Sequence, residues 1–387
     1  MIQNFKTSLL GRRLYRTRWF WVARNALRNL VKRNPAAPSI IDDRKELAVA
    51  PKVLMPWPSD IPKPKVGLVQ DFFMQPYWTK YERFLQNNGF PFEYYDVHRS
   101  NWLAASESFD VIIWAAEGKT PQIEEQRRKT YILEKHCGRI CFPSYDTLMW
   151  HEDKIFQYEW LRKRGFPVIH TFISNSVSEA FDRLKSIRYP LVVKQPVGAG
   201  SLGVELARSD RQAREIIRQS FSPTGRQIYW PYIRQKDFVF FQDFQPNEGY
   251  DLRVIVVGDK VFGYFRDVPP GEYRASGMGL VRKEKIPEAA IRLALHLARS
   301  LDLVIVAVDM LRDTGGAFQI IELSAFIQVD TSEQLRVDEQ PGAYVFDASG
   351  NYYFQPGRFW IQELALKEFF ERLLRQGAFL QSDGAAG

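Results

Sequence analysis

The stretch Tyr189-Pro-Leu-Val-Val-Lys-Gln-Pro-Val-Gly-Ala-Gly-Ser-Leu-Gly-Val204 constrains the fold more than any other. Leu191 to Val193 is short and apolar, as a buried strand requires, and ends in Lys194. Gly198, Gly200, Ser201 and Gly203 follow in one loop, and a second apolar segment begins at Val204. Glycines let backbone N–H groups come close to an anion and face it. A lysine at the strand end adds a mobile charge suited to phosphate oxygens. The stretch reads as a hairpin that holds polyphosphate or, on its own residues alone, as an ordinary glycine-rich turn beside a chance lysine. It is not a Walker loop, which needs Gly-x-x-x-x-Gly-Lys-Ser/Thr leading into a helix.

A second constellation lies further on. Asp309 and Glu322 are acids inside two apolar segments, Val304 to Leu311 and Phe318 to Ser324, separated by Asp313-Thr-Gly-Gly316. A hairpin folded about the Gly315–Gly316 bond sets Asp309 opposite Glu322, with Cβ atoms roughly 5 Å apart. Ser324, two residues on, shares that face. Directly opposed like charges are unfavourable unless something bridges them. Magnesium carrying nucleotide phosphates suits a site of one or two carboxylates. Register slipped by one residue would instead send one acid to solvent.

Other elements follow from spacing and punctuation. Lys65 to Asp71, Phe92 to Asp96 and Val111 to Trp114 read as strands, with a helix from Tyr77 to Asn88 stopped by Gly89. Strands alternating with helices suggest a small open parallel sheet. The spacing predicts a helix over 153–164, ended by Gly165 and carrying Lys154 near its start. Ser209 and Gln212 form a capping box for a helix through Gln219. Phe238 to Phe244 reads as an apolar strand. Asp251 to Val257 and Lys260 to Phe265 read as a hairpin turning at Gly258-Asp259. Helices are expected over 287–300 and 360–375. The expected organisation is a basic amphipathic helix over 1–34, a proline-rich linker over 35–64, a small α/β domain over 65–145, a main domain over 146–376 and a loose tail over 377–387.

Composition matters at two points. An apolar share of 45% with 14% aromatics fits a folded chain rather than a disordered one. The net charge of +8 belongs to residues 1–34, which hold nine Lys and Arg and no acid, so the remainder is close to neutral. A basic, Trp-containing amphipathic helix suits an anionic membrane surface, or packs on the body with its basic face solvated. Nucleic acid is not expected as a partner, because no second basic element accompanies the helix. Cys137 and Cys141 have no histidine pair at ligand spacing nearby and read as reduced thiols. The expected location is cytoplasmic, at the inner membrane face if the helix docks there.

The ordered set of features resembles the ATP-grasp superfamily, most closely carboxylate–amine ligases of the ribosomal-protein glutamate ligase and glutathione synthetase type, over about residues 146–340. The resemblance implies an α/β (α+β) ATP-grasp fold, with a two-part ATP-grasp domain preceded by a small Rossmann-like α/β domain. It implies ATP and Mg2+, with Mn2+ as a substitute. Asp153-Lys154 and Pro190 to Lys194 resemble the two lysine motifs that contact ATP phosphates. Gly198, Gly200, Ser201 and Gly203 resemble the loop over the triphosphate. Gln242-Asp243-Phe244 resembles the hinge strand beside the adenine, and Asp251-Leu-Arg253 the family's Asp-x-Arg. Arg253, Arg266 and Arg274 resemble arginines that hold the acyl phosphate or a substrate carboxylate. Asp309, Glu322 and Ser324 fall on the magnesium ligands. Serine at 324 departs from the usual asparagine and is a weaker ligand, leaving the second metal weak or held by Gln328 or Asp330. Ser276 likewise stands where relatives have asparagine.

The implied activity is ATP-dependent joining of a carboxylate to an amine, the substrates being small molecules or groups linked to a polymer such as a cell-surface precursor. The alternative is an ATP-grasp-like protein that binds nucleotide without ligation, as a regulator or membrane-associated scaffold.

Overall fold

Short apolar runs, ambiguous by periodicity alone, become strands where flanking helices bury both faces. β1 (Val66–Leu68), β2 (Phe92–Tyr94), β3 (Val111–Ile113) and β4 (Ile140–Phe142) form a parallel sheet in the order β2-β1-β3-β4. All three residues of β1 and of β3 are buried. The computed structural model describes residues 43–379 except 72, 74, 199–202, 229–232, 247, 326, 328–330 and 348. The expected N-terminal helix, Gly200, Ser201, Gln328, Asp330 and most of the tail therefore lie outside the described residues.

The stretch expected as a linker carries a helix, Arg44–Val49, with Leu47 buried, and Met55 is buried beyond it. Asp43 pairs with Lys80, both buried, and Lys80 lies 5.0 Å over the Trp360 ring. Arg83 bonds Glu363 at 2.7 Å. Proline density excluded helix only locally. Apolar and ionic contacts hold the segment's second half on the body.

The second sheet, β5-β10-β6-β7, is antiparallel and contains β5 (Thr171–Ser174), β6 (Leu191–Val193), β7 (Glu205–Ala207) and, after the small pair β8 (Arg226–Gln227) and β9 (Arg234–Gln235), β10 (Val239–Asp243). The glycine loop joins β6 to β7, as its hairpin reading requires. Its helix Asp210–Ser220 is capped by Ser209, which accepts from Gln212 N at 3.4 Å, while the Gln212 side chain accepts from Arg208 N at 2.7 Å.

The third sheet holds β11 (Tyr250–Val257), β12 (Lys260–Asp267), β13 (Val281–Arg282), β14 (Ile305–Arg312), β15 (Phe318–Ser324), β16 (Arg336–Val337), β17 (Gln340–Phe346) and β18 (Tyr352–Pro356). The helix Glu288–Ser300 lays Ile291, Leu295 and Leu297 into its core. Gly263 on β12 is required by a close approach: a Cβ there would stand 2.7 Å from the Arg253 carbonyl oxygen and 3.0 Å from Ile286.

The β14–β15 hairpin reaches the expected pairing by a different route. Leu311 pairs with Gln319 and Arg312 with Phe318, so the turn is centred on Gly315 itself. That register alone would set Asp309 opposite Ile321. A β-bulge between Asp309 and Met310 absorbs one residue, and Asp309 pairs with Glu322.

Candidate active site

Strand ends and loops from all three sheets converge on one cavity of about 360 Å3. Of the residues singled out above, Lys154, Lys194, Gly198, Gln242, Asp243, Phe244, Asp251, Arg253, Arg266, Arg274, Ser276, Asp309, Glu322 and Ser324 line it. Gly203 does not, although its φ of +86° suits glycine and a Cβ there would stand 3.2 Å from the Gln195 side chain.

The acids are neutralised by protein cations. Asp309 is gripped in bidentate fashion by Arg253, with Nε–Oδ1 2.7 Å and Nη2–Oδ2 2.8 Å. Arg266 reaches Asp309 Oδ2 at 2.8 Å and also bonds Asp251. Burial alone would raise the Asp309 carboxyl, but the two guanidiniums outweigh it and hold it well below the usual carboxylate range. Burial raises Asp251 despite Arg266. Glu322 bonds Lys154 at 2.8 Å and is raised, chiefly by burial, with Glu152 and Asp309 adding repulsion. Protein cations already relieve the opposed carboxylates, arginines at Asp309 and a lysine at Glu322. The two guanidiniums are immobilised in a chain running Asp251–Arg266–Asp309–Arg253, which fixes them before any ligand arrives.

Lys194, at the end of β6, is buried, and among the described residues no carboxylate lies within ion-pairing distance of its ammonium. Burial depresses it to about 8, against the pull of Glu322. An ammonium so placed suits an incoming anion. Lys154 differs: Glu322 and Glu152 more than offset its burial, so its value is raised.

Glu152 was not legible in the sequence. It is buried, sits at φ +54°, and accepts from Gly198 N at 3.0 Å. Lys154 Nζ donates to Gly198 O at 2.8 Å. Both backbone groups of Gly198, whose φ of +145° only glycine adopts readily, are therefore held by the Glu152–Lys154 corner. Asp153 between them caps the helix Lys154–Lys163, accepting from Phe156 N at 3.0 Å. His151 was missed as well. Its Nε2 lies 2.8 Å from the Glu117 carbonyl, which can only accept, so the proton resides on Nε2. Burial lowers its pKa, which keeps the ring neutral.

The metal question turns on the donors. Asp309, Glu322 and Ser324 offer oxygen only, from facing strands, and two carboxylates are what a magnesium carrying phosphates ordinarily receives. Among the described residues no group of three or more His, Cys, Asp or Glu side chains could hold a metal. The donor set therefore fits a cation that arrives with phosphate oxygens rather than one caged by protein alone.

Gln242 to Gln245 at the end of β10 join Ile169, Val192, Leu311 and Ile321 in the same lining. The bulge explains why Ile321 and Glu322, adjacent in sequence, both face the cavity. Apolar walls beside the end of a strand suit a planar heterocycle.

A glycine hairpin over one antiparallel sheet, facing a second sheet that carries paired acids and arginines, defines an ATP-grasp fold. More particularly, residues 151–340 match the family described as the RimK-like ATP-grasp domain, and the chain carries such a domain. Similar curated proteins include a probable alpha-L-glutamate ligase 1 of Shewanella sp. (strain ANA-3), 27% identical over 188 residues, spanning 47% of this chain and 58% of that relative. A probable alpha-L-glutamate ligase of Haemophilus influenzae (strain PittEE) is 26% identical over 191 residues, spanning 49% and 60%. The chain thus matches under two thirds of the length of these relatives. Among solved structures, the D-cycloserine synthetase DcsG superposes with a TM-score of 0.52 at 14% identity, covering 80% of this chain and 99% of that one. A D-alanine–D-alanine ligase from Bacillus anthracis gives 0.50 at 15% identity, covering 68% and 86%. At these identities the likeness establishes the fold. Among the described residues, no helix is long and apolar enough to cross a membrane.

Proposed function

We propose that the chain is an ATP-dependent ligase that joins a carboxylate to an amine through an acyl phosphate. The observation that carries this reading is the convergence of Lys154, Lys194, Gly198, Arg253, Arg266, Arg274, Asp309 and Glu322 on one cavity. The curated relatives, named as glutamate ligases, support the reaction class.

In this scheme a substrate carboxylate oxygen attacks the γ-phosphorus of ATP, and the bond to the β–γ bridging oxygen breaks to release ADP. The amine nitrogen then attacks the acyl carbon, loses a proton, and inorganic phosphate departs as the amide forms. Lys154 and Lys194 neutralise phosphate oxygens. Arg253 and Arg266, already fixed by Asp309 and Asp251, present donors to the phosphoryl group and the tetrahedral oxyanion without reorganising. Arg274, 5.3 Å over the Tyr273 ring, contributes a further guanidinium. Mg2+, or Mn2+ in its place, would be held by Asp309 and Glu322 with Ser324 beside them, and would supply charge neutralisation between the phosphates. Positioning dominates because phosphoryl transfer asks little covalent work of the protein.

The test is ADP release with candidate acids and amines, together with hydroxylamine trapping of the activated acid. Release that needs both partners, with hydroxamate formed when the amine is omitted, supports ligation. Tight Mg-ATP binding with neither product across a broad panel favours a nucleotide-binding regulator or scaffold. Residues 1–34 extend the proposal to a membrane-surface location and a polymer-linked substrate. Flotation with anionic liposomes that survives deletion of 1–34 would refute that extension.

A further inference from the structure

An amine that attacks an acyl phosphate must shed a proton before the amide can form, and a group in the cavity has to accept it. Among the described residues that line the cavity, the acids are already engaged. Asp309 is held by Arg253 and Arg266, Asp251 by Arg266, and Glu322 by Lys154. Glu152 accepts from Gly198 N at 3.0 Å, and Asp243 pairs with His170 at 3.1 Å. Lys194 is charged once a phosphate lies beside it.

His151 differs. It lines the same cavity and is buried. Two contacts pin it: Arg127 Nη2 donates to its carbonyl at 2.8 Å, and its Nε2 donates to the Glu117 carbonyl at 2.8 Å. With the proton on Nε2, Nδ1 carries a lone pair. Nδ1 is buried and accepts no hydrogen bond among the described residues. A buried acceptor without a donor is disfavoured, so a ligand N–H that reaches it gains what the fold leaves unmade. The surrounding charges suit a base that waits in its neutral form. Burial first, then Arg127 and Lys154, oppose the imidazolium, while Glu152 and the bond to the Glu117 carbonyl favour it once it forms.

We propose that His151 is a catalytic residue whose Nδ1 accepts the proton that the amine loses as it attacks the acyl phosphate. The nitrogen–carbon bond forms, one N–H proton passes to Nδ1, and the bond between the acyl carbon and the phosphate oxygen breaks to release inorganic phosphate. The imidazolium then gives its proton to water. The inference rests on the ligase reading and assigns a residue to its second step, amine transfer, rather than to phosphoryl transfer.

The experiment separates the two steps in full-length His151→Gln, whose amide N–H keeps a donor for the Glu117 carbonyl but supplies no base. Acyl phosphate is read as hydroxamate with hydroxylamine, a weakly basic nucleophile whose adduct sheds its proton readily. Transfer is read as amide formed with alkylamine and amino acid probes, using an acid that supports ADP release in the wild type. Expected is a fall in amide formation of about a hundredfold or more, with hydroxamate formation falling far less. Equal losses of both products, or amide formation retained, overturn the inference. Nitrogen NMR of the wild type with labelled histidine gives a second reading that needs neither variant nor substrate. At neutral pH Nε2 should carry the ring's proton and Nδ1 none, and a proton on Nδ1 overturns the inference. No ADP release from the wild type with any acid and amine overturns the ligase reading instead.

Discussion

Lys194 links the cavity's electrostatics to a pH profile. Its ammonium is buried and depressed to about 8, by burial first and with Lys154 adding repulsion, while Glu322, Asp309 and Asp251 pull the other way. A bound polyphosphate favours the charged form, so Lys194 must take up a proton whenever nucleotide binds above its free value. The sign follows directly. Below about pH 8 the lysine is already charged and Mg-ATP affinity is at its plateau, whereas above it affinity falls by about tenfold per unit, or about 1.4 kcal/mol. Near pH 8 binding should draw in about half a proton. The nucleotide's terminal phosphate titrates well below this window, nearer about pH 6. Calorimetry in buffers of different ionisation enthalpy reads both quantities, and Lys194→Arg, which stays charged, should flatten the profile. Affinity that stays level from about pH 7 to 9 with no proton uptake would refute the link between this lysine and phosphate.

Further outcomes follow from other contacts. Glu152→Ala should weaken Mg-ATP binding by about tenfold, whereas Glu152→Gln, which keeps an oxygen acceptor for Gly198 N, should stay within about threefold, as titrations would show. Removing divalent metal with a chelator should abolish nucleotide binding, because cationic and acidic side chains lining the cavity balance, and added Mg2+ or Mn2+ should restore it. Asp309→Asn should lower the urea unfolding free energy by about 3 kcal/mol, since the buried Arg266 and the half-buried Arg253 lose their shared carboxylate. Gly263→Ala should cost about 1–3 kcal/mol in the same assay, through the 2.7 Å approach to the Arg253 carbonyl.

What the sequence disclosed was what a local pattern can carry. The glycine loop and both lysines stand out because few other roles demand that chemistry beside a strand. The Asp309–Glu322 pairing was reached although the turn lies half a residue away, because the bulge that corrects the register has no sequence signal of its own. Glu152 and His151 escaped notice because their roles come from a left-handed corner and from a carbonyl over thirty positions away, neither written in periodicity. The helix Thr120–Lys135 was missed since only Ile123, Gln126, Thr130 and Leu133 face inward, half of them polar. The added strands β16, β17 and β18 were missed too, the pairing of β17 with β12 being a tertiary matter and that of β16 and β18 with β17 following from it. Fold class was therefore legible from the phosphate hairpin and the acid pair. The lining contributed by Phe73, Tyr77, Ala116 and Gly118 was not, because these residues share no spacing.

The most direct test of the central claim is thermal unfolding of the wild type and of Lys194→Met, each with and without Mg-ATP. Expected is a metal-dependent rise in the wild-type midpoint, equivalent to about 2.7 kcal/mol at ligand a hundredfold above its dissociation constant, and its loss in the variant. No rise in the wild type at millimolar Mg-ATP, or an equal rise in both proteins, would contradict the assignment of Lys194 to a nucleotide site.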